Sequence, residues 1–361
     1  MREIPLNVMT LYADLAQRLG LQDVRPGSIS TKTVGGKKHL YAVEKDGKAR
    51  IQRYIGPATS EAATAQAELV KQAAEQAKEL RNTVSILKTS RVPSPSLVLG
   101  RILEVVANAG LFERGVTLVG TAAYQTYSCV VGAYLPAAAL MTNDVDLSVA
   151  EFVASEDEED IEAILKRADP TFKPHWGAED KLPRIFRSSN GFSVDVLTRY
   201  GRGRKTPVQI ESLGCAAEAL SFQEYPAEET METVALYGTG VLVRVPTPLR
   251  YAVHKLIVAQ ERKPTQTAKR RKDLMQAREI IDIFLETDEA ALQDELDSAR
   301  ARGRAWKSAI NASLKEIGRD TRQGRLPLPM AGDKNDQKDQ DERRRTSQSI
   351  SRSGARTRLR R

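Results

Sequence analysis

The segment Asn143-Asp144-Val145-Asp146-Leu147 constrains the fold of this chain more than any other part of the sequence. Its alternation of acidic and apolar residues is typical of a β-strand, in which successive side chains point to opposite faces. Val145 and Leu147 would then face a core. Asp144 and Asp146 would share the other face, about 6.6 Å apart along the strand. Two like charges side by side raise each other's pKa unless cations neutralise them. The segment therefore predicts a core strand whose acidic face needs a positive partner.

A glycine turn precedes this strand. Gly120-Thr121 follows the short apolar run Val116–Val119, a predicted strand, and opens a predicted helix over residues 121–132. Such a strand-to-helix junction offers unpaired backbone N–H groups to phosphate oxygens, and glycine allows a close approach of the backbone. A generic strand-to-helix turn is the alternative.

A third acid follows in a later strand. Asp195 lies within the apolar run Phe192–Leu197, which a predicted hairpin turn at Asn190-Gly191 connects to the preceding segment. An acid in an apolar strand is costly unless it is paired or bound to a metal. An ion pair with Arg187 or Arg199 is the structural alternative. Hard carboxylate oxygens suit Mg²⁺, which completes its shell with water and substrate phosphates, so the three acids predict a metal-dependent phosphoryl-transfer site.

Several segments resemble a known family. Leu118-Val119-Gly120-Thr121, then Asp144-Val145-Asp146, then Asp195 resemble the DNA polymerase β-type nucleotidyltransferase superfamily, although serine is usual where this chain has Thr121. Other pieces resemble bacterial nucleotidyltransferase-domain proteins akin to abortive-infection toxins, namely Tyr124-Gln125-Thr126-Tyr127, Leu213-Gly214-Cys215-Ala216 and His254-Lys255-Leu256. The resemblance covers residues 95–285 or so. It implies an α/β (α+β) fold in which a small mixed sheet carries the acids.

The resemblance also implies a reaction: transfer of a nucleotidyl group from an NTP to a hydroxyl, with release of pyrophosphate. It gives Asp144, Asp146 and Asp195 the roles of catalytic residues and ligands of two Mg²⁺ ions. In that role Asp195 can also accept the proton of the acceptor hydroxyl. The acceptor would be RNA, such as a tRNA 3′ end, a protein side chain or a small molecule. A toxin-like member would have an antitoxin partner.

Further residues receive roles from the same resemblance. Gly120, Thr121 and Lys255 would bind the nucleotide, and Asp273 resembles a motif acid. A solvated lysine and a local ion pair are the alternatives for Lys255 and Asp273. Independently of the resemblance, Arg199 begins a basic loop directly after the Asp195 strand, continued by Arg202, Arg204 and Lys205, which can reach substrate phosphates.

The chain divides by composition and periodicity into five predicted parts. They are an N-terminal helix with a basic β arm over 1–57, a linking helix over 58–92, the nucleotidyltransferase core over 93–215, a hairpin with a helical C-terminal domain over 216–320, and a disordered basic tail over 321–361. Within the third part, Ser155 and Glu158 predict a capped helix start. Helices are predicted over 248–261, 265–286 and 288–316, the first with Thr247 as its cap.

The net charge of +8 lies at the two ends of the chain. Residues 343–361 contain eight arginines and no acid, and residues 25–53 carry eight Lys or Arg against Glu44 and Asp46. This distribution suits a polyanionic partner such as RNA or tRNA, held by the arm and the tail. In the arm, Tyr41 and Tyr54 can stack a base between the cations. Solvated, unbound segments are the alternative for both ends.

The remaining features exclude several classes of protein. No stretch approaches the ~20 apolar residues of a membrane span, and the N-terminus lacks a signal-peptide pattern. Cys129 and Cys215 show no ligand spacing, which predicts reduced core residues in a cytoplasmic protein. The alternative to an enzyme is a nucleic-acid-binding regulator that keeps the fold without activity, although the three acids argue against it.

Overall fold

The computed structural model describes residues 2–22, 24–46, 49–139, 142–149, 152–153, 159–177, 180–199 and 207–319. The predicted tail, the loop cations Arg202, Arg204 and Lys205, and the predicted cap at Ser155 with Glu158 lie outside these residues. The described residues form ten α-helices and twelve β-strands, so the predicted mixed α+β class is confirmed. Among them, no helix combines the length and apolarity that crossing a lipid bilayer requires.

The N-terminal part is a small antiparallel sheet, as predicted, and the long helix predicted as a link packs against it. Its elements are α1 (Leu6–Gly20), β1 (Gly27–Val34), β2 (Lys37–Asp46), β3 (Ala49–Pro57) and α2 (Glu61–Thr89). The strands are ordered β1-β2-β3, and we call this sheet the arm. The Ser60 side chain accepts a hydrogen bond from the Ala63 N–H and so caps α2. The alanines and leucines on one side of α2 are buried, which fixes the helix against the sheet and α1.

The central sheet is mixed and carries the acids. Its strands and adjoining helices are α3 (Leu97–Asn108), β4 (Val116–Val119), α4 (Gly120–Tyr124), β5 (Asp144–Val149), α5 (Ile161–Ala168), β6 (Lys173–His175), β7 (Ile185–Arg187), β8 (Ser193–Arg199), β9 (Val208–Ile210) and β10 (Cys215–Leu220). The main order is β4-β5-β8-β10-β9, and β7 pairs with β8 and β6. Strand β5 runs parallel to β8 and antiparallel to β4.

The C-terminal part is a hairpin followed by packed helices. Its elements are α6 (Glu224–Glu228), β11 (Thr230–Ala235), β12 (Val241–Pro246), α7 (Pro248–Glu261), α8 (Thr267–Thr287), α9 (Glu289–Ala301) and α10 (Arg304–Glu316). One large apolar core extends from α3 and the central sheet through α7 to α10. A second, smaller core joins α1 and α2 to the hairpin. Cys129 and Cys215 are buried free thiols, and burial raises the pKa of each to about 12.

Two predicted helices differ in the structure, and the predicted cap of a third differs in its hydrogen bonding. Helix α4 ends at Tyr124 instead of continuing to residue 132, because the Thr126 hydroxyl bonds the Ala123 carbonyl oxygen at 2.8 Å and so favours a turn. The predicted helix over 288–316 is two helices, separated where Gly303 adopts a φ of 146°. Thr247 does occupy the N-cap of α7, but its side chain makes no capping hydrogen bond.

Candidate active site

The pairing of β5 with β8 brings two acids together. In the parallel register Asp146 lies opposite Asp195, and Asp144 lies opposite Ser193. Neighbouring strands are about 4.8 Å apart, and residues in register share a face of the sheet. Val145 and Leu147 are buried on the other face, as the alternation predicts. The Ser193 hydroxyl donates a hydrogen bond to Asp195 Oδ1 and so orients this carboxylate.

The glycine turn presses against the same carboxylates. Gly120 follows β4, whose last residue Val119 is in register with Asp146. Its φ is 67°, in the left-handed region that favours glycine. A Cβ atom at this position would lie only 2.1 Å from Asp146 Oδ2. Glycine is therefore required here both by the backbone angle and by the close approach of the acid.

The turn is held in place from the C-terminal part. The Tyr251 hydroxyl of α7 lies 3.0 Å from the Gly120 carbonyl oxygen and 2.9 Å from Gln276 Oε1 of α8. The Tyr251 ring stacks on Tyr124, with ring centroids 5.5 Å apart. Residues 124–127, one of the segments that carry the family resemblance, thus provide the hydrophobic contact between the turn and α7. This contact fixes the position of Gly120 relative to the helices that line the site.

A cavity of about 800 Å³ opens over these residues. It is lined by the seven predicted site residues Gly120, Thr121, Asp144, Asp146, Asp195, Lys255 and Asp273. The structure therefore brings together residues that the chain spaces over more than 150 positions. Arg199 does not line the cavity: it is exposed at the end of β8. An ion pair of Asp195 with Arg187 or Arg199 was the structural alternative, and among the described residues neither arginine forms that salt bridge.

Burial perturbs the ionisation of Asp146. Desolvation is the largest cause that raises its pKa, to about 6, and the nearby charges of Asp195 and Asp144 also raise it. The positive charges of Lys255 and Arg262 act in the opposite direction. The repulsion from Asp144 is the like-charge effect that the sequence predicts, but burial is the larger cause. A cation bound beside these carboxylates would stabilise their charged forms.

Lys255 and Asp273 form a buried ion pair across α7 and α8. Lys255 Nζ lies 2.7 Å from Asp273 Oδ1, and Arg262 Nε lies 2.9 Å from Oδ2 of the same carboxylate. The side chain of Asp273 is only 1% exposed. Burial alone would raise its pKa, but the charges of Lys255 and Arg262 outweigh this and lower it. A local ion pair was the alternative role of Asp273 in the sequence analysis. That ion pair is present, and the carboxylate also lines the cavity.

His254 lines the cavity beside this pair. Its Nε2 atom is buried and has no hydrogen-bond partner among the described residues. Desolvation, together with the adjacent charge of Lys255, lowers its pKa to about 3. The imidazole is therefore neutral at ordinary pH.

Five cavity-lining cations have no predicted site role. They are Arg184, Arg187, Arg262, Lys269 and Lys272. Burial lowers the pKa of Lys272, as does the charge of Lys255. The basic run Lys269-Arg270-Arg271-Lys272 was the available signal, since its helical spacing places Lys269 and Lys272 on one side of α8. Arg187 carries no such signal, because its position depends on the pairing of β7 with β8.

The acids fit a magnesium ion by their chemistry. Asp146 and Asp195 offer hard oxygen donors from adjacent strands. In the part of the chain that the structure describes, no group of three or more His, Cys, Asp or Glu side chains is placed so that it could hold a metal ion by itself. Mg²⁺ commonly takes one or two protein carboxylates and draws its other ligands from water and phosphates. Asp146 and Asp195 are such a pair of carboxylates.

The fold and the cavity define a mixed α+β protein with acids on two parallel strands beside a glycine turn. A family model described as nucleotidyltransferase matches residues 98–301, more than half of the chain. The chain belongs to this nucleotidyltransferase family, as its motifs predict; the relation to bacterial abortive-infection toxins stays a prediction. A solved structure of an antigenic nucleotidyltransferase-like protein from Paracoccidioides brasiliensis is similar over 65% of this chain and 93% of that chain, with 16% identity and a TM-score of 0.28. No curated protein matches the chain.

Proposed function

We propose that this protein transfers a nucleotidyl group from an NTP to a hydroxyl acceptor, with release of pyrophosphate, in a reaction that depends on Mg²⁺. The single observation that carries the proposal is the register of Asp146 with Asp195 at the wall of a large cavity. Membership of the nucleotidyltransferase family supports it.

The proposed metal ligands are Asp144, Asp146 and Asp195, for two Mg²⁺ ions. Bound Mg²⁺ would neutralise the triphosphate and make the acceptor hydroxyl more acidic. Asp146 is the central ligand in this proposal, because it lies between Asp144 on its own strand and Asp195 on the next. Asp144 is exposed at the cavity mouth, where it remains accessible to a substrate-bound ion. Asp195 is also the proposed acceptor of the hydroxyl proton.

The proposed nucleotide contacts come from the glycine turn and from α7 and α8, which all line the cavity. Gly120 and Thr121 offer backbone N–H groups and a hydroxyl from the turn beside the acids. Lys255 offers positive charge near Asp146, although Asp273 holds its ammonium group in an ion pair. Lys272 is the additional cation that we propose for the phosphates, since it lines the cavity and no acid within the described residues forms a salt bridge with it.

The proposal extends to three further properties of the protein: the class of its acceptor, its location in the cell and a toxin-like role. We propose RNA, such as a tRNA end, as the acceptor in preference to a protein or a small molecule, because the chain's excess positive charge lies in the arm and the tail. The buried free thiols Cys129 and Cys215 support a cytoplasmic location, which cell fractionation would check. A toxin-like role predicts that expression of the parent chain, and not of Asp146→Asn, slows growth of the host.

The test is a transfer assay with the full-length protein. Each of the four NTPs, labelled at the α-phosphate, is incubated with Mg²⁺ and bulk RNA, a protein extract or small hydroxyl compounds. We expect label in RNA from one or more NTPs, and loss of the signal on adding EDTA. Asp146→Asn should lower the rate by ~10³-fold, since several kcal/mol of charge stabilisation are lost and each 1.36 kcal/mol is tenfold.

The matched control is Asp297→Asn, which removes an acid from α9 whose side chain is 62% exposed. It should transfer at the parent rate. Transfer by Asp146→Asn at the parent rate, or no transfer to any acceptor, would contradict the proposal. RNA binding without transfer would favour the regulator that the sequence leaves as the alternative.

A further inference from the structure

The arm has one covered and one open face. The inner face lies against α2: Gly27 and Gly56 approach it so closely that added Cβ atoms would lie 3.3 Å from Val70 Cγ1 and 2.8 Å from Ala63 Cβ. Ala42 and Glu44 of β2 are buried on this inner face. Strand residues alternate between faces, so the odd-numbered residues of β2 and their register partners lie on the opposite, outer face.

The outer face combines aromatic rings with cations. By register it contains Lys32 opposite His39, Tyr41 opposite Tyr54, and Lys45 opposite Arg50. Among the described side chains of the arm no carboxylate lies on this face, because Glu44 is on the inner face and pairs there with Arg53 at 3.0 Å. The outer face is therefore positively charged, and no acid on it offsets that charge.

The rings are held in a fixed arrangement. The Tyr41 and Tyr54 rings have centroids 5.3 Å apart, and Lys32 Nζ lies 4.9 Å above the Tyr41 ring. His39 Nδ1 lies 3.0 Å from the Tyr54 hydroxyl. Tyr54 is nevertheless 51% exposed. An ordered, exposed ring pair is pre-organised for stacking, because little side-chain freedom is lost on binding.

We propose that the outer face of the arm is a binding surface for single-stranded RNA. Unpaired bases stack on Tyr54 and Tyr41, while Lys32, Lys45 and Arg50 contact the phosphates on either side of the rings. Single-stranded nucleic acids bind to surfaces of this kind, where aromatic side chains stack the bases and cations follow the backbone. A flat sheet face cannot enter the narrow major groove of an RNA duplex, which favours an unpaired strand. As a definition of the acceptor's binding site, the proposal rests on the proposed function; RNA binding itself is independent of catalysis.

The test measures binding of a fluorescently labelled, unstructured 12-nucleotide RNA to the full-length protein by anisotropy at several salt concentrations. Tyr41→Ala with Tyr54→Ala should raise the Kd at least ~10-fold, because each stacked base contributes appreciably to affinity. Tyr41→Phe with Tyr54→Phe keeps both rings and should bind as the parent does. This pair of variants separates stacking from hydrogen bonding, and the phenylalanine variant remains informative if the alanine variant unfolds.

The charge on the face is tested separately. Lys32→Gln with Arg50→Gln should reduce the slope of log K against log salt by ~1.4, at about 0.7 for each phosphate that the variant no longer neutralises. The control, Lys71→Gln with Lys78→Gln, removes two exposed cations of α2 and should leave the slope unchanged.

Two outcomes would overturn the proposal: parent-like RNA binding by the alanine variant, or an equal slope change in the α2 control. Asp146→Asn should bind RNA like the parent, and it distinguishes the two proposals. If Asp146→Asn loses transfer but still binds RNA, the acid is needed for catalysis and not for RNA binding. If Tyr41→Ala with Tyr54→Ala loses binding, the two rings are needed for RNA binding. A protein that binds RNA through the arm but transfers to no acceptor would refute only the proposed function.

Discussion

The acid cavity and the outer face of the arm hold charge in opposite ways. In the cavity, Lys255 and Asp273 are 9% and 1% exposed, and each neutralises the other. On the arm, Lys32 and Arg50 are exposed, and among the described side chains no acid on their face opposes them. Burial explains the difference, because a charge removed from water must be paired, whereas a hydrated charge needs no internal partner.

This contrast indicates what each set of charges can do. The buried pair of the cavity fixes α7 against α8 and so gives the site its shape. The exposed cations of the arm remain available to a partner from solution, and binding one displaces only water and counterions. A cation near a site is therefore not evidence of ligand binding by itself. Its burial and its internal partner decide which role is open to it.

The largest expected effect tests the buried pair. Asp273→Asn should lower the free energy of unfolding by ~3–5 kcal/mol, because it leaves Lys255 buried without its counter-charge. Glu75→Gln removes one partner of a surface pair on α2, where Lys78 and Glu75 are 63% and 71% exposed. That change should cost less than ~1 kcal/mol. Urea unfolding of both variants checks the difference, and equal losses would refute the contrast between cavity and surface.

A smaller effect concerns the pH dependence of stability. Folding lowers the pKa of His254 to about 3, from 6.5, so below pH 6.5 the unfolded chain binds a proton that the folded chain does not. Stability is therefore lost as pH falls through 6.5. From pH 7.5 to pH 5 this group should cost the parent ~2 kcal/mol.

His254→Phe has no group to protonate at this position, so it should avoid that loss. Thermal unfolding of parent and variant at both pH values measures the change in their difference, and all other groups cancel to first order. At pH 7.5 the comparison gives the packing cost of the substitution alone. A difference in Tm that does not change between the two pH values would show that His254 is not shielded from protons.

The smallest effect on stability separates strain from function. Gly120→Ala and Gly36→Ala both place a side chain at positive φ, 67° and 79°, and each should cost ~1–2 kcal/mol. Only at Gly120 would the new Cβ meet an acid, 2.1 Å from Asp146 Oδ2, while nothing lies within 4 Å at Gly36. Gly120→Ala should therefore lose nucleotidyl transfer and Gly36→Ala should keep it. If Gly120→Ala and Gly36→Ala are equally stable and equally active, the turn does not position Asp146.

Much of the fold could be predicted from the sequence. The elements that were not predicted were missed for local physical reasons. The strand over Asp144–Val149 and the arm were predicted because period-two alternation and glycine turns are local signals. The short strands β6, β9 and β10 were missed, since three to six residues without clear alternation resemble loop. Gly303 divides a segment whose composition is helical throughout, and only its backbone angle reveals the break.

The sequence by itself determined which side chains share a face, because backbone geometry sets the periods of strands and helices. It thereby determined the acids of β5, the glycine turn and the basic arm. Only the tertiary structure decided which faces meet: the register of Asp146 with Asp195, and the pairing of Lys255 with Asp273 across two helices. Such contacts follow from the packing of segments far apart in the chain, where burial of apolar area outweighs any local preference.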